Sequence, residues 1–296
     1  MISRMLSETV PISFPGLGID QMNPPDGFSV FGFEIKFYGV LIALGVLLAV
    51  LYAMRRSKQF GLTSDDVLNI IIIGLPFAIL GARAYYIAFY PGTPWSDFFK
   101  IRNGGLAIYG GVLGAVAALL VYFLSSKKRR GKLLPSFDLC GIGLLIGQSI
   151  GRWGNFFNRE AYGAQTNCFL RMGLLGETYP GEWSYWHPTF LYESVWNLVG
   201  LVLLHFLSKK RRFDGQVFVY YLAWYGLGRV WIEGLRTDSL WWGGFRVSQV
   251  LAGATFAAAA LLLIYMCIFR KPDRANLYVN RSLSEETSAE NNISEE

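Results

Sequence analysis

Seven apolar stretches account for most of the 296-residue chain, and each is long enough to cross a membrane as a helix. A helix needs about 20 apolar residues to span the roughly 30 Å hydrocarbon core of a bilayer. Only 16% of the residues are charged, against about 25% in an ordinary soluble domain. The pattern predicts an all-α, polytopic membrane protein with seven transmembrane helices, and it excludes a soluble enzyme. The stretches lie at 36–54, 67–90, 106–125, 137–158, 188–208, 216–236 and 247–269.

Short basic clusters follow every second apolar stretch. They lie at 55–58, 127–132, 209–212 and 270–274, after the first, third, fifth and seventh stretches. Because cytoplasmic loops carry an excess of lysine and arginine, this alternation predicts an N-terminus outside the cell and a C-terminus in the cytoplasm. The basic residues form short clusters between apolar stretches and no single patch, so we expect no nucleic acid as a partner.

The links between the stretches predict the domain organisation. Residues 1–35 form an extracytoplasmic arm, and residues 36–270 form the transmembrane domain. Within that domain, the link at about 159–187 is the outer link long enough to form a small extracytoplasmic head. Residues 271–296 are predicted to be a polar, acidic and disordered cytoplasmic tail, since they contain little apolar surface.

Metal binding is not expected from the cysteines and histidines. Cys140, Cys168 and Cys267 form no CxxC pair, and His187 and His205 are the two histidines of the chain. Neither a disulfide framework nor a zinc site is predicted from this composition.

Charged residues inside a membrane-spanning helix are costly and usually functional, and four of those in the predicted helices share one depth. Arg83, Arg152, Arg229 and Glu193 all lie five to seven residues from the outer end of their helix. At 1.5 Å per residue this places them about 8–11 Å below the outer interface. Arginine binds phosphate through a planar, permanently charged fork, which predicts an anionic lipid head group as the ligand. The alternative is that these arginines pair with Glu193 and Glu233 and hold helices together.

Helical spacing extends these charges into two polar stripes, which are expected to face the bundle or a wet cavity. The stripe on the sixth predicted helix has spacings of i, i+4, i+8 and i+11 and consists of Tyr225, Arg229, Glu233 and Arg236. The stripe at the end of the fourth predicted helix consists of Arg152, Asn155 and Arg159, with Glu160 beside it.

A family resemblance is carried by residues 151–163, which read GRWGNFFNREAYG. This segment resembles the Gly-Arg-x-Gly-Asn-Phe-x-Asn-x-Glu-x-x-Gly signature of prolipoprotein diacylglyceryl transferases at all eight fixed positions. Further similar segments are FYGVLIALG at 37–45, GARAYYIAFY at 81–90, GGLAIYGGVLGA at 104–115, HPTFLYES at 187–194 and YGLGRVWIEGLR at 225–236. The resemblance covers all the predicted helices and leaves the termini unmatched.

The resemblance implies an enzyme of the bacterial cytoplasmic (inner) membrane. That family transfers the diacylglyceryl group of phosphatidylglycerol to the thiol of the lipobox cysteine of a prolipoprotein, which forms a thioether and releases glycerol phosphate. Such an enzyme needs no nucleophile of its own, because the nucleophile arrives with the substrate, and no cofactor is expected. Its expected partners are phosphatidylglycerol, prolipoprotein signal peptides with a lipobox cysteine, and the surrounding membrane lipid.

The resemblance also implies roles for individual residues. Arg152 and Asn155 correspond to lipid-binding and catalytic groups, and Arg229 corresponds to an essential arginine with Glu233 as its orienting partner. The remaining residues are expected to bind or surround the substrate, and they are Tyr38, Arg83, Glu160, Gly163, Tyr225 and Arg236.

Tyr109 departs from the pattern of some family members, which carry a histidine at this place in the AIYGG segment. That histidine has been assigned as a general base. A tyrosine hydroxyl ordinarily keeps its proton at neutral pH, so tyrosine is a poor replacement for such a base. Tyr109 is therefore expected either to act as a base in an altered environment or to position a substrate by a hydrogen bond.

A competing interpretation is an anion or lipid transporter that uses the intramembrane arginines. Charges gathered at one depth favour a closed pocket over a pathway across the membrane. An intramembrane protease is disfavoured, since it would need a Ser/His dyad, an aspartate pair or a metal site, and Asp138 near the cytoplasmic edge is the only aspartate within the seven predicted stretches.

Overall fold

The computed structural model describes residues 10–90, 92–101, 104–237 and 241–284. Most of these residues are helical. The helices are α1 Phe37–Arg56, α2 Ser64–Phe89, α3 Ile108–Leu124, α4 Lys127–Arg130, α5 Leu133–Asn158, α6 Thr189–Ser208, α7 Gln216–Leu235 and α8 Val247–Tyr265.

Within the described residues, five helical segments are long and apolar enough to cross a membrane. They are Phe37–Phe60, Ser64–Phe89, Leu133–Asn158, Thr189–Ser208 and Val247–Arg270. The apolar helix Ile108–Leu124 is shorter, and α7 is outside the group of five. The chain is thus a mostly helical membrane protein, while the count of seven spans stays a prediction for α3 and α7.

The structure also contains strands, so the prediction of an all-α fold is wrong in that respect. The strands are β1 Ile12–Phe14, β2 Ile19–Met22, β3 Gly27–Val30, β4 Phe33–Lys36, β5 Met172–Leu175, β6 Trp183–Trp186, β7 Trp241–Trp242 and β8 Phe245–Arg246. Four of them form an antiparallel sheet in the order β2-β1-β5-β6, and the others form the hairpins β3-β4 and β7-β8. Strands of two to four residues are too short to show an alternating pattern, which explains the error.

The described chain divides into two compact units. The first contains residues 10–49, 141–210 and 216–271, apart from the gap at 238–240. Its sheet combines β1 and β2 from the predicted N-terminal arm with β5 and β6 from the predicted head. The sheet is packed by a buried apolar cluster that includes Phe156 at the end of α5 and Phe190 at the start of α6. The arm and the head, predicted as separate elements, therefore form one structure above these two helix ends.

Helices α6 and α7 of the first unit are joined by a reciprocal tryptophan pair. The rings of Trp196 and Trp224 stack with centroids 4.2 Å apart. Each indole N–H donates to the backbone carbonyl of the other tryptophan, at 3.1 and 3.0 Å. The indoles lie over Gly200 and Gly228, where any Cβ would overlap a ring. This pair fixes how α6 and α7 align along their axes.

The second unit contains residues 50–140, 211–215 and 272–284 of the described chain. Glycines bring its helices α2 and α3 together, because a Cβ on Gly81 would overlap the carbonyl oxygen of Gly110 and lie 2.9 Å from Cα of Gly114. Gly110 and Gly114 therefore form a packing face, which small residues commonly provide between membrane helices.

The start of the C-terminal tail is ordered, which differs from the disorder expected from residue 271 onward. Residues 274–276 form a short 3-10 helix and residues 278–284 are helical, whereas 285–296 lie outside the described residues. Leu277 is buried, and the backbone N–H of Tyr278 donates to Asp214 at 2.8 Å. The Tyr278 ring also packs against Gly61 and Gly131. Leu277 and Tyr278 therefore hold the start of the tail in place. The prediction of disorder missed them because it rested on the average composition of a largely polar segment.

Truncation of the tail should have an effect that depends on the cut site. A chain ending at Asn280 keeps Leu277 and Tyr278, so its melting temperature and activity should match those of the full chain. A chain ending at Asn276 loses both, and its melting temperature should fall by roughly 5 °C or more. Thermal unfolding in detergent would measure the difference, and equal melting temperatures would contradict the docking of Leu277 and Tyr278.

Candidate active site

Glu193 on α6 is the centre of an ion-pair network in the first unit. Its carboxylate Oε2 lies 2.6 Å from Nη2 of Arg152 on α5. Its Oε1 lies 3.2 Å from Nη1 of Arg229 on α7 and 3.5 Å from Nη1 of Arg236. The structure thus brings together charges from three helices. The sequence indicated Glu193 as an intramembrane charge and as a counter-ion of the arginines, but it did not predict that Glu193 lies at the centre of the network.

Glu233 is the second carboxylate of the network. Its Oε2 lies 2.6 Å from Nη2 of Arg229, one helical turn earlier on α7. Both Glu193 and Glu233 are buried. Three guanidinium groups therefore share two carboxylates, which leaves the group of five side chains with one positive charge in excess. Such an excess in a poorly solvated place attracts an anion.

The carboxyl end of α5 presents Asn155 through a turn closed by Glu160. The Nδ2 atoms of Asn155 and Asn158 donate to Oε1 of Glu160 at 3.0 and 3.1 Å. Arg159, which stands between Asn158 and Glu160, adopts a left-handed φ of 52°, which ends the helix and turns the chain back. The Glu160 carboxylate therefore orients Asn155 one turn after Arg152.

Gly154 permits the start of α1 to lie against α5. The ring of Tyr38 covers this glycine so closely that a Cβ on residue 154 would overlap it. Tyr38 is partly exposed beside this contact. Gly154 is thus required for this close packing. The packing holds Tyr38 against the residue directly before Asn155.

Gly163 connects the ends of three helices. Its N–H donates to the carbonyl of His187 at 2.8 Å, and the next residue, Ala164, donates to Leu235 at 2.7 Å. Gly163 also forms a β-bridge with Arg236. A Cβ on Gly163 would lie 2.8 Å from both the His187 Cβ and the Leu235 carbonyl. This glycine therefore holds Arg236 and the loop after α5 at the edge of the network.

His187 belongs to a small cluster that the sequence did not predict. Its Nδ1 lies 3.2 Å from the hydroxyl of Tyr192 and 3.9 Å from Sγ of Cys168. Burial lowers the pKa of His187, so the imidazole is neutral at pH 7. Tyr192 directly precedes Glu193, and the cluster fixes the start of α6.

Tyr225 belongs to the same polar stripe of α7 as Arg229, and Arg246 contacts that stripe at Glu233. Tyr225 precedes Arg229 by one turn, and its ring stacks on Tyr221 with centroids 5.9 Å apart. Arg246 donates from Nη1 to the backbone carbonyl of Glu233, and its guanidinium lies over the Trp241 ring. Arg246 was not singled out as a site residue from the sequence.

Arg83 belongs to the second unit and has a structural environment. Its buried guanidinium donates to the backbone carbonyls of Phe98, Asp97, Gly104 and Gly105. These bonds use most of its donors, so Arg83 holds the loop between α2 and α3. The expected lipid contact of this residue stays a prediction.

Tyr109 also belongs to the second unit. It lies in the first turn of α3, is 45% exposed, and its ring centroid is 6.5 Å from that of Tyr85. Its expected role, as a base or as a group that positions a substrate, stays a prediction. Across the described residues, no group of three or more His, Cys, Asp or Glu side chains could hold a metal ion.

Comparison with known proteins identifies the family. The family model for prolipoprotein diacylglyceryl transferase matches residues 25–265. The chain is 41% identical over 254 residues to the phosphatidylglycerol–prolipoprotein diacylglyceryl transferase of Clostridium novyi, covering 82% of this chain and 95% of that protein. It is 43% identical over 249 residues to the protein of the same name from Enterococcus faecalis, covering 80% and 88%. The chain therefore belongs to the prolipoprotein diacylglyceryl transferase family.

Proposed function

We propose that this protein transfers the diacylglyceryl group of phosphatidylglycerol to the lipobox cysteine thiol of a prolipoprotein. The observation that carries the proposal is the arginine-rich network around Glu193 and Glu233, with its one positive charge in excess. The names of the relatives give the same donor lipid and the same type of acceptor.

The reaction makes a defined demand on these residues. The cysteine thiolate forms a C–S bond to the glyceryl carbon, and the bond from that carbon to the phosphate oxygen breaks. The thiol proton is lost to an acceptor, and the leaving glycerol phosphate gains a second negative charge. Groups that stabilise this developing charge accelerate the reaction. We assign this role to Arg152 and Arg229, whose forks suit a phosphate.

The neighbouring residues support these two arginines. Glu193 and Glu233 orient the guanidinium groups, and Asn155, itself oriented by Glu160, donates a hydrogen bond to the lipid head group. Tyr38, Gly163, Tyr225 and Arg236 form the surroundings of the substrate.

The transfer can be tested with the full-length protein in vesicles that contain phosphatidylglycerol labelled in the head-group glycerol. A lipobox peptide should gain the mass of a diacylglyceryl group while labelled glycerol phosphate is released in equal amount. A matched peptide with serine in place of the lipobox cysteine should yield neither product. Absence of both products with the cysteine peptide would overturn the proposal. The transporter alternative has no support from the comparisons, and it would show movement of label across the vesicle membrane without release of glycerol phosphate.

The topology forms part of the proposal, with seven spans in the bacterial cytoplasmic membrane, the N-terminus outside and the C-terminus in the cytoplasm. Cysteine labelling in intact cells, with Cys140 and Cys267 replaced, should show this arrangement. An impermeant thiol reagent should modify Cys168 in the head and leave a Ser126→Cys variant unmodified, because Ser126 adjoins the basic cluster at 127–132. Modification of the Ser126→Cys variant in sealed cells would contradict the orientation.

Replacement of Tyr109 by phenylalanine should distinguish the two expected roles of this residue. If the hydroxyl positions a substrate, Tyr109→Phe should lower kcat about tenfold and leave lipid binding nearly unchanged, since the ring remains. A Tyr109→His variant should then be active. If Tyr109 were a general base, the phenylalanine variant would be nearly inactive and would lose a limb of the pH–rate profile. Unchanged kinetics in Tyr109→Phe would exclude both roles.

A further inference from the structure

The hairpin β3-β4 ends in a residue that is unusual for its turn. Phe31 and Gly32 connect the strands, and both have positive φ, at 50° and 83°. Two-residue turns with this backbone favour Asn-Gly, because a bulky side chain is strained in the left-handed region. Phe31 is nevertheless 98% exposed. Backbone strain held at an exposed aromatic residue indicates a purpose other than folding.

The hairpin has one entirely apolar face. Phe28 is paired with Ile35, and Val30 with Phe33, so these four side chains point to the same side. They are 36% to 63% exposed. The opposite face is polar, since Ser29 is paired with Glu34, and Lys36 forms an ion pair with Asp26 at 2.7 Å.

A two-stranded sheet with an exposed apolar face is only marginally stable in water. Another apolar phase or surface must therefore cover this face. The position of the hairpin indicates what covers this face, because β4 ends at Lys36 and the membrane-spanning segment begins directly afterwards, at Phe37. The exposed apolar face thus continues into the exposed apolar surface of α1, which includes Val40, Ile42 and Leu44.

Contacts at its base fix the hairpin to the first unit. The N–H of Phe37 donates to the carbonyl of Asp26 at 2.9 Å. The Phe37 ring contacts Phe28 on one side and Phe157 of α5 on the other, with centroid distances of 5.5 and 4.9 Å. The hairpin is consequently held beside the end of α5 that carries Asn155 and Asn158.

A second hairpin shows the same placement. Hairpin β7-β8 ends at Arg246, directly before α8, and exposes Trp241 and Phe245. Its turn consists of Gly243 and Gly244, both with positive φ. Glycine at both turn positions meets the need for positive φ without strain. Hairpin β7-β8 therefore lacks the exposed aromatic tip that Phe31 provides in hairpin β3-β4.

We propose that hairpin β3-β4 inserts Phe31 and its apolar face into the bilayer leaflet at the amino end of α1. The occupant of this face is lipid, and the hairpin acts as an interfacial anchor, as amphipathic segments with apolar aromatic faces do. The polar face with Ser29 and Glu34 remains in contact with water. The anchor stabilises the hairpin and holds the end of α5 at the membrane surface. This proposal does not depend on the transfer reaction.

Spin labelling of the full-length protein in phosphatidylglycerol-containing vesicles tests the insertion directly. Labels are attached to Phe31→Cys, Ser29→Cys and Phe169→Cys variants in which the native cysteines are replaced. Phe169 is a matched control, because it is 65% exposed on the head and distant in sequence from any span. Position 31 should be several-fold more accessible to oxygen and several-fold less accessible to a water-soluble nickel chelate than positions 29 and 169.

A second variant separates insertion from folding. Asparagine tolerates the left-handed conformation, so Phe31→Asn should leave the melting temperature in detergent unchanged or raised. In vesicles, a spin label at Ile35→Cys should become more accessible to the nickel chelate when Phe31→Asn is added.

Two results would overturn the proposal. One is equal nickel accessibility at positions 31 and 29 in vesicles. The other is protection of position 31 that occurs only after a lipobox peptide is added, which would show that the apolar face binds polypeptide and not lipid.

Discussion

Replacing Arg152 by lysine is expected to lower the rate of diacylglyceryl transfer by about 10²–10³-fold, the usual loss when one preorganised charge-stabilising donor is removed. Lysine retains the positive charge but loses the planar fork that contacts a carboxylate and a phosphate at once. In the structure, Arg152 already uses Nη2 to bind Glu193 at 2.6 Å, which leaves its other donors for a ligand. A single ammonium group cannot fill both positions with the same geometry. Arg229→Lys should show a loss of the same size, because Arg229 bridges Glu193 and Glu233.

A matched control for these variants is Arg171→Lys. Arg171 is an arginine of the head that lies over the Tyr185 ring, outside the network. Its replacement by lysine should leave the rate unchanged. Protein yield and melting temperature must be measured alongside, so that loss of insertion is separated from loss of chemistry. Full activity in both Arg152→Lys and Arg229→Lys would show that these arginines serve only as structural counter-ions.

The parts of the site that the sequence predicted are those marked by a charge inside an apolar stretch. Such a charge needs a partner or a function wherever the helix packs, so Arg152, Arg229 and Glu233 could be identified without a structure. Glu193 was visible by the same rule, but its central position was not. Which of three arginines a carboxylate contacts depends on the alignment of α5, α6 and α7, which helical periodicity does not specify.

The backbone contacts of Arg83 could not be predicted from the sequence for a related reason. An arginine near a helix end can bind a ligand or the carbonyls of its own loop, and both arrangements have the same pattern in sequence. In the structure, the loop that begins at Asp97 supplies the acceptors.

The strands were missed because β1 pairs with β5 across about 160 residues, and pairing at that separation leaves no local pattern. The hairpin tip at Phe31 was hidden as well, since aromatic residues at 28–37 resemble an extension of the first apolar stretch.

Replacing Glu193 by glutamine should have the largest effect on stability of any single change in the network. Glu193 is buried and contacts Arg152, Arg229 and Arg236, so its neutralisation leaves three arginines with Glu233 as the one remaining carboxylate of the network. Removing one partner of a buried ion pair typically costs about 3–5 kcal/mol. A decrease of several degrees in the melting temperature is expected, together with loss of transfer. Glu233→Gln is the matched comparison, and its effect should be smaller, because Glu193 lies within 3.5 Å of three arginines, whereas the ion pair described for Glu233 is the one with Arg229.

The double variant Glu193→Gln, Arg152→Gln separates the two roles that the sequence left open for the arginines. Removing Arg152 as well restores the original excess of one positive charge, so the melting temperature should recover towards that of the unmodified protein. If Arg152 only balances Glu193, transfer should recover with it. If Arg152 binds the phosphate of the lipid, stability should recover while transfer stays at least about 100-fold below the original rate. We expect the second result, and recovery of both properties would remove Arg152 from the catalytic site.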